Sequence, residues 1–293
     1  MRGATHGEPA PDCRVVVFYI DGLRPDVVQE MAAMGHLPVI RELFVDGGSW
    51  MSGAVTAFPS DTITSNGTMW TGCFSDRHGL KGQVRFSRHQ LKSQSYLEPL
   101  GPSRSARLLQ PQGLDALLAD GQKKVRNWVQ NEDDSESGYR SHVTGTPPIY
   151  HFLRTQGKDW STGLLPLMTE LPPLLWTRSM SREMPWLGAH NAWQFADDAN
   201  ANYAIKHLLH RRNPVTILWF PETDSVSHKM CRGQFGLTRR TIAEADKLVG
   251  RVVDELKAAG EFERTYFLLV SDHGHHGGRV QHLKHFDLAS NFF

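Results

Sequence analysis

The chain has 293 residues and a mass of 33.0 kDa, which fits one large α/β domain or two small ones and is ample for a buried core. Apolar residues make up 40% and charged residues 22%, with a mean hydropathy of −0.40, which excludes wholesale disorder. The 32 basic and 31 acidic side chains leave a formal net charge of +1, so no basic field points to a nucleic-acid polymer, and no apolar run reaches the roughly 18 residues of a transmembrane helix.

The first residues, Met1 to Cys13, carry no apolar signal core. The compartment therefore stays open between a cytoplasmic protein and an exported one without its leader. Arg14–Ile20 (RVVVFYI) reads as a strand that ends at Asp21-Gly22. Pro25–Met34 reads as a helix, with proline in the first turn. Trp50–Phe58 is a looser strand candidate, and it leads through Pro59 to Ser60-Asp61-Thr62 and a short helical segment ending at Thr71-Gly72. Residues 84–147, of mixed charge and rich in Ser, Gln and Arg, read as a cap inserted into a single domain spanning 1–293. Ala199–Arg211 reads as a second long helix. Pro214–Phe220 is a strand followed by Pro221-Glu222-Thr223-Asp224. From about Leu237 to Ala259 the apolar positions Ile242, Ala245, Val249, Val252 and Leu256 recur every three or four residues, and Gly260 stops the helix. Thr265–Val270 is a last strand, ending at Ser271-Asp272-His273-Gly274. The 14–20, 214–220 and 265–270 runs are near-continuously apolar, which suits strands buried on both faces. Strands alternating with helices predict a doubly wound, mostly parallel sheet flanked by helices. Cys13, Cys73 and Cys231, odd in number and far apart, read as thiols.

Ligand sites in such sheets lie beyond the carboxyl ends of the strands. Asp21 follows one strand and Asp272 and His273 follow another; Asp224 and His228, spaced D-x-x-x-H, follow a third, and Thr62 heads a helix. Each piece has an ordinary reading: a turn at Asp21-Gly22, an incidental pair on a helix face, a helix cap at Thr62. Together they supply three carboxylates, two imidazoles and one hydroxyl, too many for one tetrahedral ion and suited to two divalent ions, zinc above all. Two such ions can hold both the entering and the leaving oxygen of a phosphoryl displacement, and a hydroxyl between them can be activated as a nucleophile. The backbone N–H groups at the start of the helix after Thr62 add donors for an anion.

The stretches VVVFYIDGLRPD, FPSDTITSNGTMWTGCFSDRHGL, WFPETDSVSH and FLLVSDHGH resemble the alkaline phosphatase superfamily, and within it the type I phosphodiesterase/nucleotide pyrophosphatase branch. The resemblance implies an alkaline phosphatase-like fold and a phosphate-ester hydrolase with a phospho-threonine intermediate on Thr62. It implies a binuclear zinc site: Asp21, Thr62, Asp272 and His273 on one ion, Asp224, His228 and a further histidine on the other, with Thr62 near both. Gln83 stands near a position where the family has a phosphate-holding asparagine. The family's further histidine comes from a later strand, whereas this sequence ends 20 residues after His273. Either His282 or His285 takes its place or the domain is truncated at its C-terminus, and the abrupt ending favours truncation. His275 and His276 read as solvent-facing beside the site. Trp176 and Trp186 fall in a stretch that reads as pocket wall or core. Sulfatase is disfavoured, because Cys73 follows Thr71-Gly72 and lacks the expected proline, and the related mutases use a different metal pattern. A phosphomonoesterase, or a non-catalytic metal-binding member, remains an alternative.

Overall fold

A computed structural model describes residues 13–51, 53–87, 92–95, 145–158, 160–162, 174–175, 193–210, 214–230 and 235–275. Strand β1 is Arg14–Ile20. Helix α1 is Pro25–Ala33, and α2, Pro38–Ile40, runs on into a wider π-type turn over Arg41–Asp46. Helices α3, Thr62–Thr71, and α4, Ser75–His78, follow. Strands β2, Val84–Ser87, and β3, Lys92–Ser95, form an antiparallel hairpin. Then come α5, Ile149–Thr155, and the short strands β4, Trp160–Thr162, and β5, Leu174–Leu175. The remainder is α6, Trp193–His210; β6, Val215–Phe220; α7, Glu222–Met230; α8, Leu237–Ala258; and β7, Thr265–Val270.

Five strands form one parallel sheet in the order β5-β4-β6-β1-β7. The chain thus crosses from β1 out to β5 and β4, returns to β6, and ends on β7 at the other side of β1. Strand residues alternate between two layers. Val16, Phe18, Ile20, Leu218 and Phe220 pack with Val28 and Met31 of α1 and with Ile242, Val249, Val252 and Leu256 of α8. Val17, Tyr19, Ile217 and Trp219 face Trp70, Tyr150 and Trp160 on the opposite side, where the Tyr150 and Trp160 rings stack with centroids 4.4 Å apart. Burying each such side chain contributes roughly 1.5–3 kcal/mol. The doubly wound reading of the sequence therefore holds, as do the three long strands and the helices around them.

Two expectations change. The described residues of Trp50–Phe58 form no strand: they have no sheet partner among the described residues, and Met51, Val55 and Phe58 stand 77%, 85% and 89% exposed. Among the described residues no neighbouring strand buries its apolar side chains, and Gly53 weakens the run. β7 is not buried on both faces: Tyr266 and Leu268 share one face and are exposed, while Phe267 and Leu269 on the other pack against the core. Of the expected cap over 84–147, the described part is the β2–β3 hairpin and residues 145–147; the rest, with Trp176, Trp186 and Cys231, lies outside the described residues. Cys13 and Cys73 are free thiols. No described helix is long and apolar enough to cross a membrane.

Candidate active site

The sheet order places β6, β1 and β7 side by side, so their carboxyl ends present Asp21, Asp224 and Asp272 to one another. Gly22 makes this approach possible. It turns with φ +69°, and a Cβ there would fall 2.8 Å from Asp224 Oδ1. The Gly22 N–H donates to Asp272 Oδ1 at 3.2 Å, and the Leu23 N–H donates to Ser271 Oγ at 2.9 Å, which stitches the β1 turn to the β7 turn. Ser271 in turn donates to the His273 carbonyl.

Thr62 is the first residue of α3 and is buried. The sequence leaves open whether it caps that helix. The structure gives the cap to Asp61, whose carboxylate accepts from the Ile63 and Thr64 N–H groups at 3.0 and 3.1 Å and from the Thr64 hydroxyl at 2.8 Å. Two of the first-turn donors expected for an anion are thereby engaged, and the Thr62 hydroxyl is released from capping. It lies 3.1 Å from His273 Nε2. The helix is fixed behind it by Asn66, whose amide donates to the Thr62 carbonyl and to the Tyr19 hydroxyl, both at 2.7 Å, and whose oxygen accepts from Trp70. His78 is buried and packs on Gly67, where an added Cβ would meet its Cε1 at 2.7 Å.

Two donor groups form around these turns. In the first, Asp21, Asp272 and His273 are all buried, and His273 Nε2 lies 3.6 Å from Asp21 Oδ1 and 3.4 Å from Asp272 Oδ2. His273 Nδ1 faces the Gly274 carbonyl at 3.2 Å; with its proton there, Nε2 presents a lone pair to the site. In the second, α7 puts Asp224 and His228 one turn apart on one face, with His228 Nε2 3.2 Å from Asp224 Oδ2. His275 Nδ1 joins them, 3.6 Å from Asp224 Oδ1. The expectation that His275 faces solvent is corrected. Its side chain is only 19% exposed, because the chain beyond Asp272 folds back toward α7 and sets its ring 4.5 Å from that of His228. His276, His282 and His285 lie outside the described residues.

These spacings fit a divalent ion. Two donors each about 2.0–2.1 Å from a tetrahedral zinc lie roughly 3.4 Å from each other. The same fit appears in the unsatisfied atoms. Asp21 Oδ1, Asp272 Oδ2 and Asp224 Oδ1 are buried without a hydrogen bond, and each is the carboxylate oxygen that faces a histidine nitrogen of its group. Burial pushes the Asp21 carboxyl well above its usual range, and the Asp272 and Asp224 charges add to the rise. Burial also raises Asp272, against the opposing pull of His273. At Asp224 burial works against the charge, yet the His228 imidazole 3.2 Å away and the other imidazoles nearby prevail and hold the carboxyl well below the carboxylate range. Carboxylates crowded in this way favour a bound cation.

The structure thus brings together Asp21, Thr62, Asp272 and His273, and sets Asp224 and His228 alongside. Gln83 is exposed, and no described hydrogen bond ties it to the site. Sequence reasoning missed Trp219, whose indole donates to Asp21 Oδ2 at 3.0 Å, and Thr56, whose hydroxyl donates to the Asp272 carbonyl at 2.8 Å. Trp219 carries no sequence signal beyond an apolar strand position.

Residues 15–288 match the family model for type I phosphodiesterase / nucleotide pyrophosphatase, and the chain belongs to that family. Among solved structures it is similar to murine ectonucleotide pyrophosphatase / phosphodiesterase 5, with a TM-score of 0.59 and 16% identity over 89% of this chain and 57% of that one. An inactive form of the same murine protein in complex with AMP matches with the same values. The chain spans just over half the length of these structures, and at this identity the likeness shows the alkaline phosphatase-like fold. A search of curated proteins by sequence finds no match.

Proposed function

We propose that this chain, a member of the type I phosphodiesterase/nucleotide pyrophosphatase family, is a two-metal phosphoric ester hydrolase with Thr62 as its nucleophile. The observation that carries the reading is the Thr62 hydroxyl: excused from capping by Asp61, it sits 3.1 Å from His273 Nε2 of the buried Asp21–Asp272–His273 group. Asp21, Thr62, Asp272 and His273 would hold one ion and Asp224 and His228 the other, with zinc the ion that this mixed oxygen and nitrogen set suits best. Bound there, two such ions supply Lewis-acid neutralisation of charge on the entering and leaving oxygens.

The chain's own residues do the rest. The Thr62 oxygen attacks phosphorus, the ester oxygen departs, and the phosphoryl group is carried on Thr62 until water releases it and restores the hydroxyl. The Asp61 cap and Asn66 hold the first turn of α3 so that this oxygen keeps one position. Trp219 and the Gly22 N–H each occupy one oxygen of Asp21 and Asp272, and so turn the other oxygen of each toward His273. The substrate class is a small phosphodiester or nucleotide pyrophosphate, as family membership supports. Gln83, exposed in this structure, would be the residue to contact a phosphate oxygen of the substrate.

The test is turnover of bis(p-nitrophenyl) phosphate by the zinc-loaded chain, with p-nitrophenyl phosphate as the monoester comparison. The diester is the expected better substrate. Thr62→Ala is expected to lower the rate about 1,000-fold or more, as loss of a covalent nucleophile does, while retaining bound zinc. A near-normal rate in Thr62→Ala excludes the nucleophile, and a zinc-loaded wild type that turns over neither ester favours a non-catalytic metal-binding role.

A further inference from the structure

With Asp224 and His228 on one ion, a third imidazole stands beside them among the described residues, that of His275. We infer that His275 is that ion's third protein donor, through Nδ1, so that the segment Asp272-His273-Gly274-His275 serves both ions: Asp272 and His273 on one, His275 on the other. The resemblance to the family points instead to a histidine from a later strand, so this assignment is a departure from that pattern. It rests on the two-ion reading proposed above.

Three observations carry it. Asp224, His228 and His275 offer ligand atoms that all lie within 4.8 Å of one another. His228 Nε2 approaches Asp224 Oδ2 and His275 Nδ1 approaches Asp224 Oδ1, so the two imidazoles straddle one carboxylate, with their rings edge-to-face at 4.5 Å. The Asp224 oxygen on the His275 side is buried and has no hydrogen bond; at 3.6 Å the imidazole is too far to donate one but is spaced as two ligands of one tetrahedral ion are. The backbone makes the placement possible. Ser271 and Asp272 are tied to the β1 turn, and Gly274 leaves room for Arg24, whose Cγ would lie 2.8 Å from a Cβ at 274. With that clearance the chain continues close under α7 and delivers the next side chain to Asp224.

The experiment counts bound metal. The full chain is stripped with a chelator and titrated with zinc in competition with a chromophoric chelator, and cobalt is substituted to read the ligand field from its visible bands. The wild type is expected to take two equivalents. His275→Ala is expected to keep one and to bind the other at least about 100-fold more weakly, above what loss of a mere outer partner costs, with a changed cobalt spectrum. His275→Cys, which restores a donor atom, recovers part of that affinity. His275→Phe keeps a ring beside His228 without a donor nitrogen, carries the same expectation as alanine, and serves if the alanine variant does not fold. His36→Ala, at an exposed histidine away from the site, keeps both equivalents. Two equivalents with unchanged affinity in folded His275→Ala or His275→Phe overturn the inference and leave the two-ion reading standing. A wild type that takes fewer than two equivalents overturns both.

Discussion

Trp219 lies on β6 with its indole reaching across to the end of β1. Its backbone carbonyl accepts from Asn200 of α6 at 2.8 Å, and its Nε1 donates to Asp21 Oδ2 at 3.0 Å, which leaves Asp21 Oδ1 facing His273. An outer partner of this kind fixes the direction of a ligand's lone pair, and its loss typically costs about 10–100-fold in metal affinity. Trp219→Phe keeps the ring volume and removes only the donor. It is expected to weaken the ion at Asp21 by that factor in a zinc competition titration, with little change in secondary structure; unchanged affinity would show that Asp21 needs no such orientation. The proposed ligands were legible in the sequence, because Asp21, Asp224, Asp272 and His273 each follow an apolar run that ends in a turn. Trp219 and His275 were not. An indole inside a strand reads as packing, and no sequence signal says which way a ring five residues past the end of β7 will swing.

At the scale of elements, α7 brings Asp224 and His228 to one face, and its start is held by α6. The buried Asp197 carboxylate accepts from the Glu222 backbone N–H, while its Oδ1 has no partner. Burial, followed by the nearby Glu222 charge, pushes its carboxyl well above the ordinary 3.8. The folded protein therefore retains a proton that the unfolded chain gives up. The stability this provides is whole below the ordinary carboxylate range and is lost as pH rises through the raised folded value. Asp197→Asn keeps an acceptor for Glu222 and cannot ionise. Thermal melts over a pH series are expected to show the melting temperature of the wild type falling with rising pH more steeply than that of the variant, and parallel curves would place the titration elsewhere. The elements that carry chemistry were readable because they are long or sharply bounded: Arg14–Ile20 between polar residues, Leu237–Ala258 by its three-to-four spacing. β4 and β5, of three and two residues, hold too few side chains to show a period, and Trp50–Phe58, with no pairing neighbour among the described residues, shows that apolar residues alone make no strand.

At the scale of the molecule, the order of the sheet does what no single motif can. β1 ends at Ile20, β6 at Phe220 and β7 at Val270, yet the three are adjacent in the sheet, so distant parts of the chain deliver three carboxylates to one place. Alternation of strands and helices announced a parallel sheet, but strand order is set by which hydrophobic faces α1, α6 and α8 can cover, and that is a property of the packed whole. The proposed chemistry follows from this convergence together with the one hydroxyl that α3 carries into it. Anomalous diffraction at the zinc edge from crystals of the zinc-loaded chain tests it most directly. The expected map has two peaks, one bounded by Asp21, Asp272 and His273 and the other by Asp224 and His228, with Thr62 Oγ1 within coordination reach of the first and facing the second. Zinc bound elsewhere, or a Thr62 side chain turned away from both peaks, would contradict it.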